Sequence, residues 1–260
     1  MILEPIQFVQ GIGSGALVGF ALGLVGGGGS MLAVPLMIYV IGVPNPHVAI
    51  GTSAIAVAVS AGVNLFDHAR AGHVKWRCAF IFASIGILGA LAGSTFGKPF
   101  DGQKLLFLFA MVMALVGALM LRGRHHPGDP SAQCNREQLP RMLGFGGAAG
   151  LFSGFFGIGG GFLIVPGLVA ATGMPTLYAI GSSLVAVTAF GLTTALNYAG
   201  SGLVDWPLAM LFIVGGLGGG SIGASVARRL SKYCGVLNTV FAALIFVVGA
   251  AMLWKSGSAI

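Results

Sequence analysis

Uncharged apolar stretches alternate with short polar joints along almost the whole chain, at residues 8–43, 48–66, 76–97, 105–121, 142–173, 177–199, 206–227 and 236–254. About 20 helical residues cover the hydrocarbon core of a bilayer, so six of these stretches suit one crossing each. The exceptions are 8–43 and 142–173. As a single helix the first would run about 54 Å, too long for one crossing and short for two. Both are interrupted by glycines, Gly26-Gly-Gly-Gly-Ser30 in the first and Gly157-Ile-Gly-Gly-Gly161 in the second, with Pro35 and Pro166 a few residues on. Each glycine costs about 1 kcal/mol against alanine in a helix interior. The pattern predicts a backbone break at each cluster, with a half-helix after it at 31–39 and at 162–170.

The polar stretch 122–141 divides the chain into a first membrane unit (1–121), a linker (122–141) and a second membrane unit (142–260). The two units are repeats. Gly19, Gly23, Gly26, Gly28, Gly29, Val34 and Pro35 fall on Gly150, Gly154, Gly157, Gly159, Gly160, Val165 and Pro166. Gly42-Val-Pro44 falls on Gly173-Met-Pro175. After one residue drops out, Ala49-Ile-Gly-Thr-Ser53 falls on Ala179-Ile-Gly-Ser-Ser183, and Gly72-His-Val-Lys-Trp76 on Gly202-Leu-Val-Asp-Trp206. Gly86, Gly89 and Gly93 then fall on Gly216, Gly219 and Gly223.

Composition agrees with the spans. The 260 residues are 56% hydrophobic and 7% charged, with a mean hydropathy of +0.96. A soluble domain carries roughly 25% charged residues, so a water-soluble globule is excluded and the lipid bilayer is the expected surround. The N-terminus has neither a basic segment nor a small-residue cleavage pattern and reads as uncleaved.

Charge sets the expected orientation of the repeats. If each glycine-broken run enters and returns on one side, each repeat keeps three crossings, and the repeats are inverted. With the linker inside, ten of the 13 Lys/Arg then lie inside, and Lys98, Lys104 and Lys255 lie outside. If each run instead crosses once, Arg228, Arg229 and Lys232 move outside. The first arrangement obeys the positive-inside rule better. The expected fold is therefore an all-α polytopic membrane protein of two inverted repeats, each a Gly-broken re-entrant half-helix pair plus three transmembrane helices. The net charge of +7 fits basic cytoplasmic loops, and equally attraction of an anion. Nothing points to nucleic acid, and oligomeric state is not legible.

Broken backbone within a membrane occurs only inside protein or facing a water-filled cavity. Transporters built of inverted repeats aim half-helix N-termini at anionic groups, and bare glycines let backbone N–H groups approach an anion closely. This makes Gly26, Gly27, Gly28, Gly29 and Ser30, with Gly157, Gly159, Gly160 and Gly161, candidate substrate-binding residues. Small residues also serve helix packing, and packing is the reading for Gly15, Gly19 and Gly23 and for glycines 215–223. Among polar residues in apolar runs, Thr52-Ser53 and Ser182-Ser183 match across the repeats and join the candidate set, with Asn64, Thr194 and Asn197. Asn64 falls on Thr194, and Asp67 on Asn197. Hydroxyls on membrane helices often bond their own backbone instead.

Asp67 and His68 form an ionisable pair at a helix end, either a candidate proton relay or gate, or a solvated terminus. No carboxylate falls at mid-membrane, which points away from cation transport and toward an anionic or neutral substrate. Cys78, Cys134 and Cys234 are too scattered for a disulfide framework and read as apolar or loop residues on the reducing side. His125-His126 has no third ligand nearby, so no metal or other cofactor is expected. An enzyme should cluster catalytic or metal-binding residues within the membrane, and none cluster here.

The paired Gly-rich–Pro segments, the Gly-x-Pro turn, the Gly-Thr/Ser-Ser step and the Gly-x-Val-x-Trp loop, in that order and duplicated, resemble the sulfite exporter TauE/SafE family over roughly residues 11–253. The resemblance implies a bacterial-type plasma-membrane permease for sulfite, sulfonates or related small organic anions. The matching positions are 26–35 with Thr52-Ser53, and 157–166 with Ser182-Ser183. Export of sulfite or a small organosulfonate is the expected function. An uptake permease or channel for another small anion is one alternative, and a non-transport assembly subunit the other.

Overall fold

The computed structural model describes residues 5–122, 138–157, 161–230, 239, 243 and 246–250. Among these, helices account for all regular structure: α1 Pro5–Val25, a 3-10 helix Gly26–Leu32, α2 Ala33–Tyr39, α3 Pro46–Arg70, α4 Trp76–Gly97, α5 Gly102–Arg122, α6 Leu139–Phe156, α7 Gly161–Thr172, α8 Thr176–Ala199 and α9 Trp206–Leu230. Among the described residues five segments are long and apolar enough to cross a membrane, at 6–39, 46–70, 76–97, 176–199 and 206–230. The matching stretch of α5, Gly102–Ala118, is shorter. Most of the linker and most of the expected span 236–254 lie outside the described residues.

Among the described residues the glycines with left-handed backbone fall in three repeat-matched pairs: Gly26 with Gly157, Gly42 with Gly173, and Gly72 with Gly202. Only glycine takes this conformation without a Cβ penalty. Punctuation is therefore placed alike in both halves: one break within the apolar run, one turn before the long helix, one after it. Asn45 caps α3 by accepting a hydrogen bond from the His47 N–H at 2.9 Å, and Pro46 starts the helix where its missing N–H is harmless.

The first apolar run is folded back on itself. A Cβ on Gly29 would overlap the backbone of Ala21 and Leu22, residues that a continuous helix would hold a full two turns away. At the far end, Gln7 Nε2 reaches Ile41 O at 3.4 Å. The two legs are unequal in kind: α1 has 21 residues and α2 seven. The expected first half-helix is thus a longer helix, and the return leg begins as 3-10, because a run of glycines gains little from α-geometry.

Glycine faces join the two halves. On α1, Gly15, Gly19 and Gly23 lie against the backbones of Phe212, Gly216 and Gly220 on α9, so the two helices run parallel. The matched pair repeats this, with Gly86, Gly89 and Gly93 of α4 against residues 146–155 of α6. A Cβ on Gly19 would stand 2.6 Å from Gly216 Cα, whereas at Gly218 nothing lies within 4 Å. Gly218→Ala is therefore expected to be neutral or stabilising by up to about 1 kcal/mol. Gly19→Val should lower folded yield severely, and thermal unfolding in detergent checks both. Between these pairs α3 and α8 run antiparallel, with Gly51 beside Tyr198, Ala58 beside Gly191, and Gly62 beside Thr188.

Cys78 departs from its expected role, being disulfide-bonded. Pairing depends on Cα separation in the fold, which scattered sequence positions do not reveal. Cys134, Cys234 and His125-His126 lie outside the described residues.

Candidate functional site

Val25 ends α1, Gly26 turns left-handed at φ +66°, and the whole 3-10 segment Gly26–Leu32 is buried. The Gly27 N–H donates to Ser183 Oγ at 3.1 Å, and Ser183 Oγ donates to Ile180 O at 2.7 Å. Ser30 Oγ donates to Gly27 O at 2.7 Å. A Cβ at Gly26 would stand 2.8 Å from Ser183 Oγ and 2.9 Å from Ile180 O. The first break thus rests on the α8 step Ile180–Ser183.

The second break follows the same plan. Gly157, also at φ +66°, closes α6, its N–H donating to Gly154 O. A Cβ there would strike Ile50 of α3, and Ser53 Oγ donates to Ile50 O at 3.0 Å. Ile50 and Ser53 are the repeat partners of Ile180 and Ser183. Gly159 and Gly160 lie outside the described residues. The breaks meet directly: Gly27 and Gly161 touch backbone to backbone, with no room for a side chain on either.

Thr52 and Ser182 have a cross-repeat task. Thr52 Oγ1 accepts from the Asp205 N–H at 2.9 Å, and Ser182 Oγ accepts from the Lys75 N–H at 2.9 Å. Each hydroxyl thus satisfies an orphan donor just before the Trp helix of the other half. The glycine before each makes room: Gly51 lies against Leu203 O and Gly181 against His73 O. Losing one acceptor removes the partner of a half-buried N–H, so Thr52→Val and Ser182→Ala should each cost about 1 kcal/mol. Thermal unfolding checks this.

Asn64 is buried, and neither its amide nitrogen nor its oxygen has a partner. It sits against Gly220. The antiparallel register of α3 and α8 puts it level with Val185, between Ser183 and Val187, which touch the first break. Its repeat partner Thr194 is likewise buried with an unpartnered hydroxyl. An unsatisfied buried polar group requires an explanation, and a ligand is one.

Asn197 is not near the breaks. It lies about 21 Å along α8 from Ser183, in a polar knot at the end of α4. Lys98 Nζ donates to Asn197 O at 2.8 Å, Asn197 Oδ1 at 2.7 Å and Ser201 Oγ at 2.8 Å. Asn197 Nδ2 donates to Ser94 Oγ at 2.6 Å and Thr95 Oγ1 at 3.1 Å. Burial holds the Lys98 ammonium below the usual lysine range. His68 is fully buried rather than solvated, with Nε2 3.2 Å from Gly23 O on α1. Sequence reading missed Lys98, Ser94, Thr95 and His73. Lys98 had one usable signal, since the repeat register lays it on Arg228, giving a cation at the matched point of each half.

Among the described residues no group of three or more His, Cys, Asp or Glu is placed to hold a metal. Long apolar helices, glycine-packed halves and buried backbone breaks define a multi-pass membrane protein of the transporter class. The family described as "Sulfite exporter TauE/SafE" matches residues 11–252. The chain belongs to that family. It is 56% identical over 248 residues to a "Probable membrane transporter protein" of Xylella fastidiosa (strain Temecula1), covering 94% of each chain. It is 26% identical over 219 residues to the "Probable membrane transporter protein YdhB" of Bacillus subtilis, covering 83% of this chain and 89% of that one. No solved structure matches.

Proposed function

We propose that this protein is a permease that exports a small oxyanion, sulfite or a small organosulfonate, across a bacterial-type plasma membrane. The observation that carries this reading is the meeting of two left-handed glycine breaks at Gly27 and Gly161, deep in the protein. N–H groups there approach a ligand without side chains in the way, and Ser183 and Ser53 supply hydroxyls beside them. Asn64 and its repeat partner Thr194 carry buried polar atoms without partners, and in this reading they serve the anion along its path. In this reading Gly27 and Gly161 part to admit the anion, and backbone N–H groups and hydroxyls replace its hydration shell.

The two halves are read as inverted repeats whose broken runs are re-entrant hairpins. The doubling back of the first run, the parallel α1–α9 and α4–α6 pairs and the antiparallel α3 and α8 support that geometry. An inside-negative potential assists anion export by about 2.3 kcal/mol per charge per 100 mV, so a dianion needs no coupling ion. Sulfite efflux from proteoliposomes tests the reading. Saturable efflux, accelerated by an inside-negative potential and absent from protein-free vesicles, is expected. Equal leak in both preparations would overturn it.

A further inference from the structure

The two ends of the α3–α8 pair carry exchanged chemistry. The repeat register lays His68 on Tyr198, Arg228 on Lys98 and Tyr178 on His47. At the Lys98 end all three ammonium donors are already engaged, by two oxygens of Asn197 on α8 and by Ser201 Oγ just after it. At the His68 end Arg228 Nη2 donates to Ser225 Oγ at 3.0 Å, and two imidazoles lie close together. His68 and His73 stand 6.1 Å apart edge to face, and His73 lies 6.0 Å from the Tyr178 ring. The Nδ1 atoms of both histidines are buried and without a hydrogen-bond partner. Arg228 of α9 acts electrostatically on both rings.

A carbonyl only accepts, so the His68 Nε2 facing Gly23 O carries the proton, and Nδ1 of the neutral ring is a bare acceptor. A second proton would turn Nδ1 into a donor with no protein group to receive it. Burial, and secondarily the Arg228 charge, hold His73 below the usual histidine range. The groups that act on His68 are Asp67 on its own helix, His73 on the following loop, Arg228 on α9 and the Gly23 carbonyl of α1; behind His73, Lys75 Nζ lies over the Tyr178 ring. Cations outnumber the single carboxylate. A small oxyanion would complement this set, accepting from both imidazoles and the guanidinium.

We propose that His68, His73 and Arg228 form an entry site for a small oxyanion, which binds there with proton uptake before reaching the glycine breaks. The proposal rests on the anion-permease reading and specifies where the anion is first recognised. His73, Tyr178 and Arg228 are only half-buried, so they form the outer rim of the cluster, with His68 and both Nδ1 atoms behind them. His68 carries the event inward through Gly23, three residues before Gly26. Because binding adds protons to the histidines, affinity rises as pH falls through the histidine range.

The test is equilibrium binding of labelled methanesulfonate to the full chain in nanodiscs. This probe stays a monoanion throughout, so any pH slope belongs to the protein. Wild type is expected to bind about tenfold tighter near pH 5.5 than near pH 8, the effect of one pKa unit. His68→Gln and His73→Gln should flatten the slope. Arg228→Gln should weaken binding about tenfold or more at both pH values, with Arg228→Lys recovering part of it. His73 sits half-exposed on its loop, so His73→Asn is expected to fold and must flatten the slope even if His68→Gln fails to fold. Loss of binding in Ser183→Ala, with wild-type affinity and slope in Arg228→Gln and His73→Asn, would overturn the entry site and leave the permease reading standing. Absence of binding by wild type at every pH would overturn both.

Discussion

Gly27→Val is expected to abolish anion flux. A Cβ there would stand 2.6 Å from Gly161 Cα and 2.5 Å from the Val187 methyl, so the branched side chain must wedge the two breaks apart. It would also occupy the space through which backbone N–H groups reach a ligand. Gly161→Val should act alike from the other side. The control is Gly19, whose close contact joins α1 to α9 away from the breaks. Flux per folded molecule separates the two effects. It should be near zero in Gly27→Val and unchanged in whatever folded Gly19→Ala is recovered. Equal flux per folded molecule in both would reduce the break to a packing contact.

Asn64→Leu is expected to stabilise the protein and impair it. The amide is buried with both polar atoms unpaired, and such a group costs about 1–3 kcal/mol. Leucine has a similar size and no polar atom to satisfy, so the melting temperature should rise. If the amide serves the anion as it passes the first break, flux should fall by about tenfold or more, the loss of one hydrogen bond to a charged group. Thermal unfolding and efflux on the same preparations measure both. A stabilised variant with full flux would remove Asn64 from the site.

The glycine breaks were legible because two independent signals coincide there: a run too long for one helix, and duplication of the interruption at Gly26 and Gly157. The small-residue faces of α1 and α9 were legible for a similar reason, since spacing alone places Gly15, Gly19 and Gly23 on one stripe. The tasks of Thr52 and Ser182 were not. Their match across repeats marked them, but their partners, the Asp205 and Lys75 amides, are set by how α3 and α8 lie against the loops of the other half. Asn197 was drawn to the site by its polarity in an apolar run, and only three-dimensional placement assigns it to Lys98. His68 read as a helix end because its neighbours Asp67 and Arg70 are charged. Its burial comes from α1 and α9, remote in sequence.

The central claim is that the paired breaks bind the transported anion. Equilibrium binding of labelled sulfite to folded wild type, Ser183→Ala, Ser53→Ala, Gly27→Val and Gly218→Ala tests it most directly. Expected are no binding by Gly27→Val, an affinity loss of about 1–3 kcal/mol for each serine variant, and wild-type affinity for Gly218→Ala. Unchanged affinity in all folded variants, with differences only in folded yield, would contradict it.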